Sequence, residues 1–226
     1  MSRRAERGLS LVELMVGIAV GLTVVAAAST LMAAQMKDAR RLQTETQVEQ
    51  DLRAAADLVA RDLRRAGYWQ HATLATADVH AVPNPYGDIA AADAGEGRST
   101  IAYVRSQDDA DAENDAVDPN ERSGVKLEGG TLKLLLGDAG WQSITDPDVV
   151  TVNRFRVALD TRPVPLADYC PQPCPPMPTA PCPPVQQVRE ARIELAGQAA
   201  HDAAVQRSLQ LTVRIRNDLV SGHCGA

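Results

Sequence analysis

The sequence predicts an α+β protein, one long N-terminal helix packed on a mostly antiparallel β-sheet head. Three observations predict it. From Leu14 to Ala34 no side chain ionises, and as a helix that run is long enough to cross about 30 Å of hydrocarbon. Val48, Leu52, Ala55, Val59, Leu63 and Ala66 then recur at steps of three and four, the spacing of one helix face. After Gly67 the pattern changes to short alternating runs broken by Gly, Pro, Asn and Asp, as strands and turns require. A helix followed by a succession of strands is an α+β plan.

Taken in order, residues 1–8 are short and basic, with Arg3, Arg4 and Arg7 against Glu6. Residues 9–36 are the apolar segment and residues 37–67 its amphipathic continuation. On the polar side of that continuation Glu49 and Arg53, and Asp57 and Arg61, stand four apart, and Gly67 is placed to cap the helix. Gly17 and Gly21 lie one turn apart in the apolar segment, where they either ease close packing or are simply tolerated. Residues 68–226 form the head. Strands are expected at 100–105, at 125–128 and 131–136 across a Gly129-Gly130 hairpin turn, at 149–159 and at 205–216. Residues 188–195 fit a strand or a helix. The chain of 226 residues suits one globular domain plus an extension. Phe155 is its sole Phe, so the core is built from aliphatic side chains.

The apolar segment has three readings: a secretory signal cut near Ala26-Ala27-Ala28, a plain membrane anchor, or a prepilin-type signal cut before the segment. Glu13 separates them. A carboxylate costs roughly 2.5–3.5 kcal/mol at the centre of a membrane span and less near its end, and neither a signal sequence nor an anchor gains from it. The segment Arg7-Gly8-Leu9-Ser10-Leu11-Val12-Glu13-Leu14 resembles the processing site of type IV prepilins and pseudopilins. Leu9 stands where family members more often carry Phe or Met, and Ser10 where they carry Thr. The resemblance implies that a prepilin peptidase cuts after Gly8 and that the new N-terminus, Leu9, is N-methylated. It further implies that the Glu13 carboxylate pairs with the Leu9 ammonium of a neighbouring subunit and sets filament register. A buried charge is penalised unless partnered.

The alternating ending, Leu211 to Asn217, with the run Val152 to Val157 before it, is similar to that of PilW-like minor pilins. What this implies is a structural subunit of a type IV pilus, anchored in the inner membrane with a periplasmic head and partnered by other major and minor pilins. A type II secretion pseudopilin is the alternative within the class. A periplasmic binding module or enzyme is the alternative outside it.

Cys170, Cys174, Cys182 and Cys224 form two disulfides, or one, or a metal site; the spacing lacks the paired Cys-x2-Cys of zinc knuckles, and a periplasmic head favours disulfides. Which cysteines pair is open. Three of them lie in a segment from Pro163 to Pro184 that holds most of the 14 prolines, expected as a stiff, extended surface loop. Asp109, Asp111, Glu113 and Asp115 alternate like calcium ligands, but the glycine of a calcium loop is missing because Asn114 stands in its place. A solvated acidic loop is favoured, and no cofactor is expected. His71, His80, His201 and His223 are scattered without a catalytic motif, and no enzymatic role is expected. The net charge is −6, and −8 without residues 1–8, so direct nucleic-acid binding is disfavoured.

Overall fold

The computed structural model describes residues 10–75, 82–108, 112–176 and 181–225. Helix α1 spans Leu11–Leu63, and no proline occurs before Pro83 to interrupt it. Two compact units divide the chain, one ending at Thr44 and the other beginning at Glu45. In the first, the apolar side chains of α1, from Leu11 through Met36, are exposed. In the second, Val48, Leu52, Ala55, Val59 and Leu63, with Ala66 just beyond the helix, are at most 1% exposed. The expected apolar face is therefore the buried one.

The helix ends where its carbonyls find other donors. Gly67 adopts φ +75°, a left-handed conformation that glycine accepts without strain, and its N–H donates to the Val104 carbonyl at 2.8 Å. The Asn217 amide donates to the carbonyls of Arg65 and Ala66 at 3.2 and 3.0 Å. Asn84 donates to that of Gly67 at 2.9 Å. Carbonyls that no helical N–H can reach are thus satisfied.

The expected antiparallel sheet is two sheets. In the first, β1 (Ile89–Asp93), β2 (Ser99–Val104), β3 (Arg122–Glu128), β4 (Thr131–Leu136) and β5 (Trp141–Ser143) follow one another as neighbours, all antiparallel. Gly129 and Gly130 turn β3 into β4 with φ of +60° and +76°, as a tight hairpin requires. The second sheet has β6 (Val150–Pro165), β7 (Val185–Ala199) and β8 (Asp202–Arg214) in that order, with β9 (Leu219–Ser221) pairing the start of β7. Residues 188–195 are therefore strand. The inner faces of both sheets and the buried face of α1 share one core that includes Ile101, Leu132, Phe155, Ile193, Leu195 and Val213. Burying a side chain of this size contributes roughly 1.5–3 kcal/mol, and the core is aliphatic apart from Tyr103 and Phe155.

The proline segment is not wholly a loop. Pro163 and Pro165 belong to β6, opposite Gln187 and Val185 of β7. They are tolerated because β6 is an outer strand, where a missing N–H removes no ladder hydrogen bond. Beyond them the segment is irregular, and Met177 to Ala180 lie outside the described residues.

Candidate assembly site

Glu13 sits in the first turn of α1. The Leu14 N–H donates to the Ser10 carbonyl at 3.1 Å, so the turn closes around Glu13. A carboxylate is favoured there by the positive end of the helix dipole. Its neighbours Leu11, Val12, Leu14, Met15 and Val16 are all more than half exposed. Gly8 and Leu9 lie outside the described residues.

Further along the segment the polar groups are satisfied within the helix. The hydroxyls of Thr23, Ser29 and Thr30 each donate to a carbonyl one turn back at 2.8 Å, as hydroxyls do in apolar surroundings. A Cβ added at Gly17 or Gly21 would meet nothing within 4 Å. Here α1 is long and apolar enough to cross a membrane, and its apolar stretch is unburied. A soluble core helix would be covered. What this arrangement can do is present a bare apolar surface, with one carboxylate near its start, to lipid or to other helices.

The cysteines are joined as Cys170–Cys224 and Cys174–Cys182. The first bridge spans 54 residues and ties the chain's end to the proline segment; the second closes a small loop of 8.

The acidic loop is held more firmly than a solvated loop. Tyr86 donates its hydroxyl to Glu113 Oε1 at 2.7 Å, Ser106 donates to Oε2, and the Asp115 N–H donates to Oε1 at 2.9 Å. Burial alone raises the Glu113 pKa, but the hydrogen bonds from Ser106, Tyr86 and the Asp115 backbone outweigh it and leave it below the usual value. Asp115 accepts from Trp69 Nε1 at 2.7 Å and meets His71 Nδ1 at 2.9 Å, and those bonds lower its pKa too. Of the four alternating acids, Asp109 and Asp111 lie outside the described residues, as does His80. Glu113 instead approaches Asp108 and Glu121, their carboxylate oxygens within 4.8 Å of one another. Glu121 is fully buried and accepts backbone N–H bonds from Gln107 and Asp118.

Sequence reasoning passed over the buried charges. The Asp62 carboxylate receives Arg105 Nη1 at 2.7 Å and the Tyr103 hydroxyl, and Arg105 also reaches Ser123. Burial, and then the charge of Asp62, push the Tyr103 pKa far up. Arg189, 6% exposed, donates to the carbonyls of Gly87 and Asn217, and burial lowers its pKa. Both positions were visible in the periodicity. Asp62 stands three after Val59 and four before Ala66, on the apolar stripe, and Arg189 shares the inward phase of Ala191, Ile193 and Leu195.

A family model described as prepilin peptidase-dependent protein B matches residues 41–215, and one described as prokaryotic N-terminal methylation motif matches residues 3–29. No curated protein and no solved structure matches the chain.

Proposed function

The chain belongs to the prepilin peptidase-dependent protein B family of type IV pilin-like proteins, and we propose that it is a minor pilin of the PilW kind, a structural subunit of a type IV pilus. Glu13 carries the reading, a carboxylate in the first turn of a helix whose N-terminal stretch is otherwise apolar and uncovered. Cleavage after Gly8 frees the Leu9 amine, which is then methylated. Before assembly the helix is held in the inner membrane, with the head on the periplasmic side. On assembly it leaves lipid for a bundle of pilin helices, where the Glu13 carboxylate meets the Leu9 ammonium of a neighbour. The apolar surface supplies adhesion and the ion pair selects one register. The subunit is acted on by the peptidase and catalyses nothing itself. The disulfide-tied, proline-rich segment favours a pilus exposed outside the cell over a secretion pseudopilus.

The test is Glu13→Ala, with Glu13→Gln as the variant that keeps the shape and removes the charge. Membrane insertion is unchanged or improved, and cleavage after Gly8 continues. Entry into filaments falls sharply, because the Leu9 ammonium is buried without a counter-charge at a cost of about 3–5 kcal/mol. The measurement is the amount of the subunit in sheared pili relative to membranes. Normal entry of Glu13→Ala refutes the ion-pair mechanism. A mature N-terminus at Ser29 instead of methylated Leu9 refutes the whole reading in favour of a released periplasmic protein.

A further inference from the structure

The second sheet carries a polar cleft of about 440 Å³ that crosses all three long strands. Its floor includes Ala196, and Arg154 and Arg156 of β6 stand along one side with Gln206 and Ser208 of β8 on the other. A register shift between Val152 and Arg154 leaves Asn153 unpaired with β7 and places it in the lining. Such bulges re-aim side chains.

The charges there do not cancel. Glu96, at the rim, is paired with Arg98, and Arg207, also in the lining, is paired with Glu45. Glu194 stands opposite Arg156 in the strand register, yet neither Arg154 nor Arg156 forms an ion pair among the described residues. On a chain of net charge −6 this is a local concentration of two uncommitted guanidiniums. Arg154 is also supported: its Cγ lies 3.4 Å from where a Cβ on Gly97 would stand, so its stem rests on the Gly97 backbone.

We propose that this cleft binds an acidic segment of a neighbouring pilin-like subunit, with Arg154 and Arg156 receiving its carboxylates. The partner's location rests on the filament reading; the chemistry rests on the cleft. Guanidinium forks match carboxylates in geometry and charge, and Asn153, Gln206 and Ser208 offer the donors and acceptors that a peptide backbone needs. A nucleic acid fits less well, because the lining holds no aromatic side chain for base stacking.

The experiment uses the full chain in non-ionic detergent and a fluorescent peptide of alternating Asp and Ser, followed by anisotropy. The same peptide with Asn for Asp, and an oligothymidylate of equal charge, serve as controls. Expected is saturable binding of the Asp peptide alone, weakening as salt rises. Arg154→Gln with Arg156→Gln weakens it by about tenfold or more. Arg154→Lys with Arg156→Lys retains part of it, since charge remains and the fork is lost. In cells the Gln double variant is cut and anchored normally but enters filaments less. No saturable binding, equal binding by the Gln variant, or tighter binding of oligothymidylate overturns the proposal. Absence of peptide binding while the wild-type chain is present in filaments sinks the cleft and leaves the filament reading standing. Absence of the wild-type chain from filaments sinks the filament reading and, with it, the assigned partner.

Discussion

Asp62→Ala is expected to destabilise the head by about 3–5 kcal/mol, the usual consequence of removing one partner from a buried ion pair. The size follows from the surroundings. The side chains of Asp62 and Arg105 are 11% and 6% exposed, with Nη1 and Oδ1 2.7 Å apart. Without Asp62 the guanidinium keeps Ser123 as a side-chain partner, and its Nε is already buried without one. Tyr103 loses its acceptor as well, and a buried donor left unsatisfied costs about 1–3 kcal/mol. The assay is urea unfolding of the chain in detergent. With a slope of about 1.5–2 kcal/mol per molar, the midpoint falls by about 1.5–3 M. Asp62→Leu with Arg105→Met and Tyr103→Phe removes both charges and the Tyr103 hydroxyl together. That triple variant is expected to return close to wild type, because apolar replacement of a whole buried pair is often neutral or stabilising. If Asp62→Ala shifts the midpoint by an amount worth less than about 1 kcal/mol, or the triple variant is no better than the single, the pair is not the buried, coupled unit described above.

The two disulfides are expected to contribute unequally. In the chain-entropy model, closing 54 residues is worth about 4 kcal/mol and closing 8 about 2.5 kcal/mol; unfolding midpoints of the Cys170→Ser/Cys224→Ser and Cys174→Ser/Cys182→Ser variants check the order. Glu113 titrates below its usual value in the folded state, so its stabilisation is present above about pH 4.5 and is lost as pH falls through the lower folded value. Unfolding midpoints of wild type and Glu113→Gln, measured against pH, should therefore converge on acidification; a constant gap down to pH 2 contradicts the assignment. Hydrogen bonds from Lys126 and Lys133 hold Glu128 down to about 2. An NMR titration of its carboxyl should move upward when either lysine is changed to Gln.

The sequence by itself determined what depends on periodicity and local chemistry. The α1 face from Val48 to Ala66 is buried as its spacing required, because burial of a helix stripe follows from where its apolar side chains fall. The Gly129-Gly130 turn is equally local, since two residues at positive φ suffice to define it. The membership of the family, too, is legible in the sequence, from the match over residues 41–215 together with the methylation motif over residues 3–29. Tertiary structure decided the rest. Strand β1 is mostly alanine, a poor strand former, and β5 and β9, with three residues each, are too short to show an alternation of their own. They are strands because a neighbour offers a ladder. The pairing of Cys170 with Cys224 required the chain's end to be carried back by β8 and β9, a long-range closure that spacing cannot encode. Asp62 meets Arg105, and Arg154 faces Ser208 across β7, for the same reason. Charges far apart in the chain become partners, or are left without them, only when sheets and helix have fixed the distances between them.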